Sequence, residues 1–293
     1  MTESRPLARR VREELATPLD ADAATFARAI WDGPGGDAID ALVFYGARRR
    51  APERTGWLDF YAIVSDYRRF HAGPLAAWAN ARLAPHVFAR VLPNAVAGKV
   101  AVVDWATLDQ GCRATAWRPH LWSRFCQPLR LAHVRNAAAE DALVRAATTA
   151  IATALGFGVR AADAGTPGTP LTSERLWPAL FRSTYACEWR PEPPETATAL
   201  YAGDRAAFDG RFREGKAFRE PSAEPLRRRR AKALAAAQLV KSAFTFGDWV
   251  PYALAKLERH SGLQLEASER QRRHPFLYAW PLFWRALRSG ALR

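Results

Sequence analysis

The 293-residue sequence predicts an α/β fold, a small mixed sheet followed by a mainly helical region. Three observations carry this. Short runs rich in β-branched and aromatic residues recur at 42–46, 57–64 and 98–105, the composition of strands rather than helices. An Ala-rich stretch, 137–155, runs without Pro or Gly and reads as a long helix. Hydrophobic residues make up 49% of the chain and include 11 Trp, enough to bury a sizeable core in one large domain or two.

Taken in order, residues 7–31 are predicted as amphipathic helix through Leu7, Val11, Leu15, Phe26, Ile30 and Trp31, stopped by the Gly-Pro-Gly-Gly turn before Asp37. Leu42-Val43-Phe44-Tyr45 then forms a strand ending at Gly46. A second strand, Trp57 to Val64, places Asp59, Tyr61 and Ile63 on one face and Phe60, Ala62 and Val64 on the other. A carboxylate opening an apolar strand is costly unless it is paired, metal-bound or at the rim. The intervening Arg48-Arg49-Arg50-Ala51-Pro52-Glu53-Arg54 is either a solvated turn or a flexible cationic lip for phosphates.

Residues 70–88 are predicted helical, with His71 and His86 as core or surface groups rather than ligands. Gly98 to Trp105 is a third, buried strand. Lys99 enters it, able to meet a phosphate as a point charge. Asp104 leaves it as the N-cap of a helix from Trp105. Residues 113–135 are basic and aromatic, with Trp122, Arg124 and Phe125. Gly156 and Gly158 are expected to end the Ala-rich helix, and 161–170 to form a loop. A helix starting at Ser173 runs to the Pro191–Pro194 cluster, residues 196–220 are mixed helix, and Arg227–Arg230 opens a further helix to about Phe246. In the tail, Phe276, Trp280, Phe283, Trp284 and Leu287 follow helical spacing between Arg clusters that include Arg285. That pattern suits a helix lying in the headgroup region of an anionic bilayer, or a terminal helix docked on the core.

The net charge of +14 implies an anionic partner: nucleotide, nucleic acid or acidic membrane surface. Three Cys without a C-x-x-C pair support neither a disulfide framework nor a zinc site. Residues 1–20 alternate Arg with Glu, so neither a secretory signal nor a transit peptide is expected. No run of about 20 apolar residues suggests a spanning helix.

Two strands around a Gly turn, with an acid on the second, resemble the core of the nucleotidyltransferase superfamily. Further motifs, in order, are similar to one family within it: the mitochondrial translocator-assembly-and-maintenance type phosphatidate cytidylyltransferases, or CDP-diacylglycerol synthases. Tyr45-Gly46-Ala47-Arg48 resembles the family's Tyr-Gly-Ser-Gly. Trp57-Leu58-Asp59-Phe60 followed by Phe70-His71 resembles its Met-Leu-Asp-Phe strand and Trp-His pair. Lys99-Val100-Ala101-Val102 is similar to its Lys-Tyr-Gly-Val strand. Ser123-Arg124-Phe125-Cys126-Gln127-Pro128, Thr184-Tyr185-Ala186-Cys187-Glu188-Trp189-Arg190 and Gln238 to Gly247 resemble its later segments. Ala47 stands where the family has Ser, Ser123 and Cys187 where it has Gly, and Glu188 where it has Asp.

The resemblance implies transfer of CMP from CTP to phosphatidic acid at a membrane surface, releasing pyrophosphate, with Mg²⁺ as cofactor. It implies Asp59 and Glu188 as metal ligands and Lys99 as a catalytic cation. Tyr45, Gly46, Ala47, Arg124, Arg190 and Lys241 would hold the nucleotide, and Trp280, Phe283, Trp284 and Arg285 would meet the membrane. The expected organisation is a nucleotidyltransferase-like domain over 1–115, a helical domain over 116–262 and a membrane-associating tail over 263–293. The enzyme would sit peripherally on the cytoplasmic face of a bacterial inner membrane, or in the cytoplasm, with no nucleic-acid partner. The alternatives are a nucleotidyltransferase acting on RNA or protein, and an inactive membrane- or nucleic-acid-binding relative.

Overall fold

The computed structural model describes residues 5–53, 56–187, 193, 195–216, 268 and 281. The chain divides into two compact units, Met1–Lys241 and Ser242–Arg293, and the described residues fall almost entirely in the first.

Two helices, α1 (Arg5–Leu15) and α2 (Ala21–Trp31), replace the single one expected over 7–31. Pro18 lacks the N–H that would continue the ladder and disfavours helical backbone before it. Asp20 then restarts the helix by accepting from the Ala23 N–H at 2.9 Å. The break has a tertiary use. Leu7, Val11 and Leu15 pack into one core, whereas Phe26 and Ile30 pack into another on the opposite side of the sheet.

Strand β1 (Ile39–Tyr45) leads through Gly46 into a single helical turn, α3 (Ala47–Arg50), and β2 (Leu58–Val64) returns antiparallel to β1. The turn α4 (Tyr67–Phe70) and the helix α5 (Pro74–Arg82) follow. The helix expected across 70–88 stops at Leu83, before Pro85, and the next residues form β3 (His86–Val91). Strand β4 (Ala97–Asp104) pairs antiparallel with β3 and parallel with β2. As expected, Asp104 caps α6 (Trp105–Cys112), accepting from the Thr107 N–H at 2.7 Å.

The turn α7 (Trp122–Phe125) precedes β5 (Arg130–Val134), a strand the sequence reading did not contain. Every residue of β5 is half-buried, so it lacks the inside–outside contrast that marks a strand in sequence. The next helix, α8 (Ala137–Gly165), runs past Gly156 and Gly158 instead of ending there. Each Gly costs about 1 kcal/mol relative to Ala inside a helix. Gly158 is kept because a Cβ there would lie 2.5 Å from Leu176 Cδ2 of the neighbouring helix. The apolar part of α8 also meets the length and composition of a membrane span, which the sequence reading did not expect, but 78% of it is buried within the protein. Its surroundings make it a core helix. Among the described residues three further helices follow, α9 (Ser173–Tyr185), α10 (Glu195–Gly203) and α11 (Arg205–Gly215). Thr172 caps α9 by accepting from the Arg175 N–H at 3.3 Å.

The sheet is five-stranded and mixed, in the order β3-β4-β2-β1-β5, so the predicted α/β class holds. Its edge strand β5 comes from beyond residue 115. One face carries Val43, Tyr61, Ile63 and Val103 and is covered by α1 and the helices from α6 onward. The other carries Leu42, Phe44, Phe60, Val64 and Val102 and is covered by α2 and α5. Both faces are therefore apolar, and the polar chemistry is left to the strand ends.

Candidate active site

The end of the sheet where β1 finishes and β2 and β4 begin brings together Tyr45, Gly46, Asp59 and Lys99. Register does this work. Tyr45 lies opposite Asp59 on β1–β2, and Asp59 lies beside Lys99 on β2–β4. Directly paired residues of neighbouring strands point to the same face. Asp59 and Lys99 therefore share the face of Tyr61, as the alternation along β2 predicted. Lys99 Nζ sits 3.0 Å from Asp59 Oδ1, and each side chain is roughly one-quarter exposed. This is a rim ion pair: the lysine offsets the cost of holding the acid at the edge of an apolar strand.

Gly46 completes the corner. Its φ of +86° and ψ of −165° are backbone values that a side chain would strain. The added Cβ would also lie 2.6 Å from Asp59 Oδ2 and 3.1 Å from Asp59 Cβ. The Asp59 carboxylate is thus packed against the Gly46 backbone, with one oxygen toward Lys99 and the other toward the bend. An aromatic wall adjoins it. The rings of Tyr45 and Tyr61 are 5.0 Å apart, and that of Tyr61 is 5.1 Å from Phe125. Arg124, one residue earlier on α7, is buried with Nη1 3.5 Å from Ser123 Oγ. Ala47 opens the turn after the bend and brings no hydroxyl.

The basic run after Gly46 is neither a solvated turn nor a flexible lip over 48–50, where it is the helical turn α3. Arg49 is buried in an ion pair with Asp204, and Arg48 Nη2 lies 3.2 Å from Asp22 Oδ2. These arginines tie the bend to α2 and to the α10–α11 junction. Burial lowers the pKa of Arg130, with nearby Arg49 acting in the same direction.

Tyr61 is the site residue that sequence reasoning passed over. Its signal was present: it is two residues after Asp59 and so on the same face. His71 and His86 are half-buried neighbours, with rings 4.7 Å apart and nearly perpendicular, and Asn80 Nδ2 is 3.2 Å from His71 Nε2. The remaining expected site residues, Glu188, Arg190, Lys241, Trp280, Phe283, Trp284 and Arg285, lie outside the described residues.

Mg²⁺ is commonly held by one or two carboxylates, with substrate phosphates and water completing its shell. A single acid beside a glycine bend fits that donor set. Among the described residues no group of three or more His, Cys, Asp or Glu side chains gathers into a metal site. No protein-family model matches the chain, and no curated protein matches it in sequence.

Proposed function

We propose that the chain is a nucleotidyltransferase of the phosphatidate cytidylyltransferase kind, moving CMP from CTP to the phosphate of phosphatidic acid and releasing pyrophosphate. The observation that carries this reading is the corner at Gly46, where backbone, acid and lysine meet at the ends of adjacent strands. Such a corner suits a triphosphate. Backbone N–H groups of a glycine bend form an anion-binding concavity, and a lysine supplies positive charge without a fixed geometry.

In this reading Gly46 and Ala47 approach the triphosphate through backbone, and Tyr45 offers a ring face beside them. Lys99 neutralises phosphate charge, and the buried Arg124 adds to the positive potential of the same face. Asp59, joined by Glu188, would hold Mg²⁺, which when bound neutralises charge on the transferred phosphoryl group. The nucleophile is a phosphate oxygen, already anionic, so the protein has to position and neutralise more than it has to remove a proton. A lipid substrate places the reaction at a bilayer surface, which also accounts for the charge of +14. Arg190, Lys241 and the tail residues Trp280, Phe283, Trp284 and Arg285 would extend the nucleotide and membrane contacts.

The test is pyrophosphate release by the purified full chain given CTP, Mg²⁺ and vesicles containing phosphatidic acid. Release is expected to require all three, and Asp59→Asn is expected to abolish it while leaving the thermal unfolding transition in place. Near-normal turnover by Asp59→Asn would remove the assignment of that acid. Transfer to RNA or to a protein instead of the lipid would move the chain to another class of nucleotidyltransferase.

A further inference from the structure

We infer that Lys99 is the internal stand-in for the divalent cation: its ammonium holds the Asp59 carboxylate in the nucleotide-free protein and hands it over when metal and triphosphate arrive. The inference rests on Asp59 being the metal ligand of the reading above.

The geometry leads there in three steps. Asp59 Oδ2 faces the Gly46 backbone, so Oδ1 is the oxygen turned toward the neighbouring strand, and Lys99 Nζ lies 3.0 Å from it. The pairing is built in by register, since residues 59 and 99 lie side by side near the start of the parallel strands β2 and β4. The pair is also incompletely buried, with side-chain exposures of 24% and 22%, so an incoming cation can reach it. A metal ion at Oδ1 and an ammonium at contact distance repel each other, and both cannot hold the same oxygen at full strength. Lysine is suited to the exchange. Its charge sits on a flexible four-carbon stem, so the ammonium can swing to a phosphate oxygen without moving the strand. Arginine, with its planar fork, would hold the carboxylate in two hydrogen bonds and release it less readily.

The consequence is opposite effects of one substitution. Removing the lysine charge should strengthen metal binding to the nucleotide-free protein and weaken it once nucleotide is present. The experiment titrates the full chain with Mn²⁺ alone, following free Mn²⁺ by electron paramagnetic resonance, and repeats the titration with a non-hydrolysable CTP analogue. Without nucleotide, Lys99→Met is expected to bind Mn²⁺ about tenfold more tightly than the unaltered protein, the size expected for releasing a part-buried ion pair. Lys99→Arg should bind no more tightly than the unaltered protein. With the analogue present, the order of Lys99→Met and the unaltered protein should reverse. Lys99→Gln is the second neutral variant, used if Lys99→Met does not fold.

Two failures are distinguishable. If the neutral variants bind Mn²⁺ like the unaltered protein, while Asp59→Asn loses binding, Asp59 remains a ligand and the competition by Lys99 is wrong. If Asp59→Asn leaves Mn²⁺ binding unchanged, the metal assignment itself falls, and this inference with it.

Discussion

At the scale of single residues, Gly46 is the most constrained position in the candidate site. Its left-handed φ and the nearness of Asp59, whose Oδ2 would lie 2.6 Å from an added Cβ, act together, so any side chain meets both backbone strain and a carboxylate. Gly46→Ala is expected to destabilise the protein by about 1–3 kcal/mol in urea unfolding. It should also reduce pyrophosphate release beyond what lost stability explains, because the clash falls on Asp59. The buried thiols make a second statement at this scale. Burial pushes Cys126 from 9.0 up to about 12 and raises Cys112 as well. A raised folded-state value means that the unfolded chain gives up its proton first. The stability concerned is therefore complete below pH 9.0 and is lost as pH rises from there toward about 12. Burial raises Tyr67 to about 12 too, which adds to the same limb. Urea midpoints should fall through this alkaline range, and Cys126→Ala should make the fall shallower.

At the scale of elements, helix ends and strand edges are where local sequence and tertiary packing disagree. Gly156 and Gly158 carry a stop signal, yet α8 runs through them because burial across its length outweighs the cost of two glycines. Gly158 serves the contact between α8 and α9, where Leu176 fills the space a side chain would need. Gly158→Ala is accordingly expected to destabilise by about 1–3 kcal/mol in spite of its better helix propensity. A stabilised variant in urea unfolding would contradict this account of the helix pair. Strand β3 was hidden for another reason: its residues are all half-buried or exposed, and the helical character of α5 before it carries on in sequence to within a few residues of it. The β1–Gly46–β2 unit, by contrast, was legible. Its strands are runs of β-branched and aromatic residues, its turn residue is Gly, and its lone acid stands out against apolar neighbours.

At the scale of the whole first unit, charged pairs tie segments far apart in the chain. Arg211 on α11 is buried, donating to the Glu14 carboxylate on α1 and to the Cys126 carbonyl, and Arg10 pairs with Glu214 between the same helices. Arg49 and Asp204 make a similar clamp beside the candidate site. Removing one partner leaves the other charge without compensation, and the more buried charge suffers more. Glu14→Ala is therefore expected to cost about 2–3 kcal/mol, and Arg211→Met less, because Glu14 keeps some contact with water. Equal losses in thermal or urea unfolding would show that burial of the arginine does not set the cost. In sequence these arginines and acids look like the solvated charges that most such residues are; nothing in their spacing marks the pairs.

Local patterns along the chain are enough to set the class of the fold, the strand–glycine–strand unit, the face on which Asp59 stands and the cap at Asp104. Each follows from a period of two, a turn residue or a local hydrogen bond, all of which act within a few residues. The pairing of Asp59 with Lys99, the burial of Arg49 and Arg211, the split of the first helix between two cores and the full length of α8 were decided only by tertiary structure. They depend on which distant segments meet, and a charge or a glycine carries a different free energy once its neighbours are packed around it.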